Sequence, residues 1–185
     1  MRGVAKLALA LVLALSLSTM LGAIRAVAAD KAVIDARVEA ALVTLRELGP
    51  GTATLLDEAV GVLVMPRITK GGFVVGGQYG EGALRVEGDT VAYYSLAAGS
   101  LGLQAGVETF SQALLFMTPE ALADFREADG WKLGAGTEVT LLRQGFDVGT
   151  STDVTNRPII AIVFGQNGLL AGASVEGAKY TRIER

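Results

Sequence analysis

The chain of 185 residues contains neither cysteine nor histidine. Without cysteine it can form no disulfide, and it offers no thiol for lipid attachment or for nucleophilic attack. Without histidine it lacks the usual general base near neutral pH and the commonest zinc ligand. These two absences exclude most hydrolase and transferase mechanisms. We therefore predict that the protein is not an enzyme and uses no cofactor or metal.

Common catalytic and nucleotide-binding motifs are also missing. There is no Gly-x-Ser-x-Gly elbow, and the glycine-rich segment KGGFVVGGQYGEG lacks the Gly-Lys-Ser/Thr ending of a P-loop. A pair of carboxylates running glycoside hydrolysis remains an alternative. No pattern in the sequence brings two carboxylates together, and solvent-facing sheet residues are their ordinary interpretation. The candidates, each in a glycine-rich strand, are Glu81, Glu108, Glu138 and Glu176.

The first 29 residues have the pattern of a secretory signal peptide. Arg2 and Lys6 precede an apolar run from Leu7 to Ile24, and small residues follow, which favours cleavage near Ala28 or Ala29. The run is longer than usual for a signal, so an uncleaved membrane anchor is the alternative. The pattern predicts an exported protein of a bacterial periplasm that is soluble or peripherally membrane-associated.

Charge restricts the partners of the exported chain. Removal of the signal leaves 13 basic and 19 acidic residues, a net charge of about −6. This balance argues against nucleic acid as a partner and against simple electrostatic adhesion to anionic membranes. Any contact with lipid must therefore be local or apolar.

An amphipathic helix is predicted after the signal. Asp30 is placed as its N-cap, and Gly49 with Pro50 stops it. It could lie on a membrane surface or pack against the domain, and we favour packing because acidic residues offset the basic ones on its polar face. The apolar residues at helical spacing are Ile34, Val38, Ala41, Leu42, Leu45 and Leu48.

The rest of the chain has the pattern of short strands. Its centre is the glycine-rich stretch Met65 to Val86, where side chains alternate with the period of two that is typical of strands. We also predict one strand over Leu101 to Glu108, a helix that begins at Thr118-Pro119, and a hairpin turn at Asn167-Gly168. The predicted fold class is α+β: a mainly antiparallel, glycine-rich, strongly curved or barrel-like sheet with two or three helices, one of them amphipathic and N-terminal to the sheet.

Four consecutive blocks carry a family resemblance: VLVMPRITKGGFVVGGQYGEGAL, YYSLAAGSLGLQAGVETFSQALLFMT, GWKLG and AIVFGQNGLLAGASVEGAKYTRI. In this order they resemble the lipid-binding SYLF domain, a family also described through its actin-binding yeast members. The resemblance runs from about Leu55 to Ile183. We accordingly divide the chain into a signal peptide at 1–29, the N-terminal helix and its connection at 30–54, and a SYLF-like lipid-binding domain at 55–185.

The resemblance implies a non-enzymatic protein that binds phospholipid at a bacterial envelope membrane. A structural or protein-interaction module of the envelope without a lipid ligand is the alternative, and an enzyme comes third. Nucleic acid is not an expected partner. Phosphoinositide preference belongs to eukaryotic relatives, and an exported protein has no obvious occasion to bind actin.

Four basic residues are candidates for holding a lipid phosphate. Arg67 and Lys70 flank the start of the central hairpin, while Lys179 and Arg182 follow the last one, within MPRITK and GAKYTR segments that resemble parts of the family pattern. If these strand ends are adjacent, the four cations could hold one phosphate by charge-assisted hydrogen bonds. A solvated rim is the alternative interpretation.

Overall fold

The computed structural model describes residues 29–72, 75–101, 106–132, 138–143, 157–168 and 177–185. These residues form three helices and eight strands. The helices are α1 (Lys31–Arg46), α2 (Pro50–Glu58) and α3 (Pro119–Glu127). The strands are β1 (Gly61–Gly72), β2 (Val75–Val86), β3 (Asp89–Leu101), β4 (Gly106–Phe116), β5 (Trp131–Lys132), β6 (Val139–Arg143), β7 (Ile159–Gly168) and β8 (Lys179–Ile183).

The eight strands form one sheet in the order β5-β8-β3-β2-β1-β4-β7-β6. Every neighbouring pair is antiparallel except β6 and β7, which are parallel. The hairpin from β2 to β3 turns through Glu87 and Gly88, whose φ angles are 53° and 89°. Two positive φ angles are typical of the tight hairpin turn that matches strand twist. The predicted α+β class and mainly antiparallel sheet are confirmed.

A hydrogen bond across the sheet shows that the sheet is curled. Tyr180 on β8 donates its hydroxyl to Gln112 Oε1 on β4 at 2.9 Å. Strands β3, β2 and β1 lie between them, and four strand spacings on a flat sheet would be about 19 Å. The sheet therefore bends into a half-barrel, as the glycine-rich sequence predicted, with Tyr180 and Gln112 on its concave face.

Helix α3 packs on the concave face. Its N-cap is Thr118, whose hydroxyl accepts a hydrogen bond from the Ala121 N–H at 3.2 Å, and Pro119 occupies the first turn, as predicted. The helix buries Phe125, whose ring centroid lies 4.8 to 6.3 Å from four other aromatic rings. The four are Tyr94, Phe116, Trp131 and Tyr180. This cluster makes the concave face a packed core.

Helix α1 packs on the opposite, convex face. Ile34, Val38, Ala41 and Leu45 are buried in one cluster with residues of β1, β2, β4 and β7. Their spacing of three and four residues places them on one stripe of the helix. The apolar stripe is thus occupied by the sheet, and the interpretation of α1 as a helix packed against the domain is confirmed.

A β-bulge interrupts β1 around Pro66. The register of β1 shifts against both neighbours between Val64 and Ile68. Gly82 on β2 lies beside the bulge, where a Cβ atom would overlap the carbonyl oxygen of Val64 and lie 2.8 Å from the sulfur of Met65. The two strands approach this closely because residue 82 has no side chain.

Two sequence predictions are wrong. Asn167 and Gly168 do not form a turn; they extend β7 and pair with Thr109 and Glu108. The predicted single strand from Leu101 to Glu108 is also wrong, because Leu101 ends β3 whereas Gly106 begins β4.

Other predictions fall on segments outside the described residues: the signal peptide at 1–28 and the middle of the predicted strand at 102–105. Within the described ranges, no helix is both long and apolar enough to cross a membrane.

Candidate functional site

The four predicted cations lie on two strands that are not neighbours. Arg67 and Lys70 are on β1, Lys179 and Arg182 are on β8, and β2 and β3 separate the two strands by about 14 Å in an uncurled sheet. Side chains alternate between the two faces along a strand, so the buried neighbours of each cation show which face it occupies. Arg67 and Lys179 lie on the convex face, whereas Lys70 and Arg182 lie on the concave face. One phosphate can therefore contact the cations of only one face, while lipid binding by any of the four remains a prediction.

The structure instead brings Arg67 next to Arg37 of α1. The two side chains line two clefts between α1 and the bulge of β1, and both clefts also contain Pro66. The larger cleft has a volume of about 420 Å³, and the smaller about 270 Å³. We call them together the Arg37–Arg67 clefts.

The larger cleft combines these cations with small and apolar groups. Helix α1 contributes Ala40, Ala41 and Thr44, and the sheet contributes Phe110 and Phe164 among others. Its polar wall is held by Ser111, whose hydroxyl donates to the carbonyl oxygen of Pro66 at 2.8 Å. The bulge backbone is thereby tied to β4, which gives the cleft a rigid edge.

Arg37 was missed by sequence reasoning, although the sequence held a signal for it. It lies three residues after Ile34 and four before Ala41, both of which are buried. Residues at these spacings are neighbours on a helix surface. A cation at the border of the apolar stripe therefore had to lie where α1 meets the sheet.

Arginines elsewhere in the described part of the chain are mostly engaged by carboxylates. Four ion pairs are present: Arg46 with Asp57, Arg85 with Glu39, Arg157 with Glu138, and Arg185 with Glu81. Arg37 and Arg67 have no ion-pair partner among the residues that the structure describes. Both residues are exposed and line the same two clefts.

Glu81 is the carboxylate of the smaller cleft, and it is already bonded. It accepts hydrogen bonds from the Ala29 N–H at 3.0 Å, from the Tyr79 hydroxyl at 2.7 Å and from Arg185. Burial alone would raise the pKa of Glu81, but these three hydrogen bonds outweigh burial and lower the pKa below its ordinary value. Burial and the bond to Glu81 raise the pKa of Tyr79 to about 12. Glu81 thus stays ionised, with its charge matched by Arg185.

Among the described residues, the carboxylates that could run glycoside hydrolysis are not brought together. Glu81 is on the convex face, whereas Glu108 is on the concave face beside Phe110 and is 2% exposed. Glu138 pairs with Arg157, and Glu176 lies outside the described residues. Across the described ranges, no three acidic residues are grouped closely enough to hold a metal ion.

The concave face carries its own polar row near the glycine-rich strand ends. Lys70 of β1 lies in register between Gln78 of β2 and Glu108 of β4. Gln78 and Glu108 are both buried, as is Gln112 further along β4. One oxygen of Glu108 has no hydrogen-bond partner in the described part of the chain.

The described residues form a curled α+β sheet with α3 packed on its concave face, residues of α1 and α2 buried on its convex face, and amphipathic clefts under α1. Residues 97–184, from within β3 through β8, match the model of the Ysc84 family, described as Las17-binding protein actin regulator. The match confirms the predicted SYLF resemblance for this part of the chain, and the family is one of binding domains not known for catalysis. No curated protein matches the chain. Arg37 and Arg67 lie outside the matched range.

Proposed function

We propose that this protein is a non-enzymatic phospholipid-binding domain that acts at a bacterial envelope membrane. The match to a family of binding domains supports a lipid or protein ligand in general. The choice of phospholipid rests on one observation, the amphipathic chemistry of the larger cleft. Its arginines suit a phosphate, and the side chains of Ala40, Ala41 and Phe164 suit an acyl chain or glycerol backbone.

The size of the cleft agrees with this ligand class. Small-molecule sites are typically clefts of about 300–1,000 Å³ that are mostly apolar with a few placed polar groups. The larger cleft, at about 420 Å³, accommodates a headgroup and the first part of a lipid, with the rest of the lipid remaining in the membrane.

The overall charge sets how the domain would engage a membrane. Because the chain without its first 29 residues carries about −6, long-range attraction to an anionic bilayer does not contribute. Binding then depends on the local cations and on apolar contact. Contacts of this short range are screened by salt much less than exposed charges separated by more than a Debye length.

The proposal is tested on the full chain, expressed with its signal and purified without detergent. We expect mass spectrometry of organic extracts to find about one phospholipid per chain, and co-sedimentation with vesicles of phosphatidylglycerol and phosphatidylethanolamine to persist at high salt. A purified chain that carries no lipid and does not co-sediment with vesicles would contradict the proposal. Cell fractionation, with the N-terminal mass of the product, tests the proposed export and cleavage.

A protein ligand is the second candidate, because the description of the matched family names a protein partner. A stable complex with an envelope protein, recovered without lipid, would favour this candidate. Actin is not the partner that we propose, since an exported protein would not meet it.

A further inference from the structure

We infer that Arg37 and Arg67 together form a binding site for a phosphate ester, either the headgroup of a phospholipid or a free phosphate monoester such as glycerol phosphate. The lipid source rests on the proposed function, whereas the site itself does not. The inference adds Arg37, which no sequence pattern assigned, and separates Arg67 from the other three predicted cations.

The two guanidinium groups come from elements that the fold holds in fixed positions. Arg37 is carried on a turn of α1 whose neighbours Ile34 and Val38 are buried against the sheet. Arg67 follows the bulge that the Ser111 hydroxyl ties to β4. Side chains separated by 30 positions in the chain thus line the same two clefts. Binding of an anion between them therefore requires little reorganisation of the backbone.

The electrostatics favour an anion because the local carboxylate is committed elsewhere. Glu81 is matched by Arg185 and by hydrogen bonds from Tyr79 and the Ala29 N–H. In the larger cleft, whose lining contains no carboxylate, the two like charges repel one another, and a bound anion removes that repulsion.

Phosphate fits this arrangement better than a carboxylate does. An arginine fork donates two parallel hydrogen bonds to one oxyanion, and a phosphate has enough oxygens for two forks. Thr69 in the smaller cleft and Thr109 in the larger cleft add hydroxyl groups at the same level of the sheet. The apolar walls of the larger cleft, Ala41 and Phe164, take the organic part of the ester.

The test compares Arg37→Gln/Arg67→Gln with Arg46→Gln in the full chain. Arg46 lies on the same helix, is exposed and pairs with Asp57, so its substitution removes one positive charge away from the clefts, as each of the two arginine substitutions does at the clefts. The probes are glycerol phosphate, followed by calorimetry, and vesicles of phosphatidylglycerol in phosphatidylcholine, followed by flotation. We expect the double variant to bind the probe at least about tenfold more weakly, since a hydrogen bond to a charged group contributes about 1.5–3 kcal/mol. Arg46→Gln should stay within about twofold of the unaltered chain.

The outcomes separate this site from the proposed function. Vesicle binding that the double variant retains would overturn the site and leave the proposed function standing. Binding of glycerol phosphate that the double variant loses, with no vesicle binding and no extracted lipid, would uphold the site for a free ester and overturn the proposed function. If the unaltered chain binds neither probe, the inferred site is wrong. The exposed single variant Arg67→Gln, with a circular dichroism spectrum, serves if the double variant does not fold.

Discussion

The contact between Ala29 and Glu81 has a chemical consequence at the predicted cleavage point. The Ala29 nitrogen lies 3.0 Å from a carboxylate oxygen of Glu81. Cleavage after Ala28 would convert this backbone N–H into an α-ammonium group, whose pKa is ordinarily about 7.7–8.0. The hydrogen bond, which is already charge-assisted because Glu81 is ionised, would then become a part-buried ion pair.

We therefore expect a chain that starts at Ala29 to be more stable than one that starts at Asp30, by about 1–2 kcal/mol at pH 7. Both chains can be released with native N-termini from a cleavable fusion and compared by chemical unfolding. Glu81→Gln should abolish most of the difference, whereas Glu58→Gln, on the exposed end of α2, should preserve it. An equal difference in the Glu81→Gln background would contradict the ion pair.

The lowered pKa of Glu81 also predicts how the stability of the protein depends on pH. Its pKa is lowered in the folded protein, so folding releases a proton wherever the carboxyl of the unfolded chain is protonated. The stabilisation is then fully present above the ordinary pKa of 4.5 and is lost as the pH falls through the lower folded value. Glu81→Gln should cost about 1–3 kcal/mol at pH 7 and progressively less below about pH 4. A cost that is independent of pH would show that the carboxylate charge does not contribute.

Among the elements, β1 and β2 depend on the glycine beside the bulge. A methyl group at position 82 would meet the backbone of Val64, which cannot rotate away as a flexible side chain could. We expect Gly82→Ala to destabilise the protein by at least about 1–3 kcal/mol in chemical unfolding, the usual range for overpacking. Gly99→Ala on β3 is the matched control, because no atom lies within 4 Å of its added methyl. Similar behaviour of the two variants would mean that β2 can shift away from the bulge.

Helix α1 depends on its buried stripe. Leu45 is fully buried against the sheet, whereas Val43 on the same helix is 58% exposed. We expect Leu45→Ala to cost about 2–5 kcal/mol by leaving a cavity, and Val43→Ala to change stability by less than about 0.5 kcal/mol. Thermal unfolding of both variants measures this. Comparable effects would indicate that α1 is not docked as the structure shows.

Local patterns in the sequence predicted the elements better than they predicted the site. Thr118-Pro119 acts through its own backbone geometry, so sequence alone located the start of α3. Asn167-Gly168 has an equally strong turn preference, but pairing with β4 overrides it and extends β7. Strand order is not encoded locally, so the sequence could not tell whether the strands of Arg67 and Lys179 are neighbours. Arg37 was missed for a similar reason, because it lines the same clefts as Arg67 only once α1 has packed on the sheet.

At the scale of the whole molecule, the two faces of the half-barrel have different compositions. The concave face holds the aromatic core around Phe125, and the convex face carries α1 and the Arg37–Arg67 clefts. The curl that distinguishes the faces brings β8 and β4 close enough for Tyr180 to bond Gln112. Burial raises the pKa of Tyr180, so its hydroxyl stays a proton donor at any physiological pH.

This hydrogen bond offers a test of whether the curl is held by specific contacts or only by apolar packing. Tyr180→Phe leaves the Gln112 amide buried without its donor, and we expect a cost of about 1–3 kcal/mol in chemical unfolding. Gln112→Leu should cost a similar amount by orphaning the Tyr180 hydroxyl. The double variant replaces both polar groups, so it should cost less than the sum of the two single changes by about 1 kcal/mol or more. Additive costs would mean that the two side chains do not interact, and that apolar packing around Phe125 is sufficient to join β8 to β4 across the concave face.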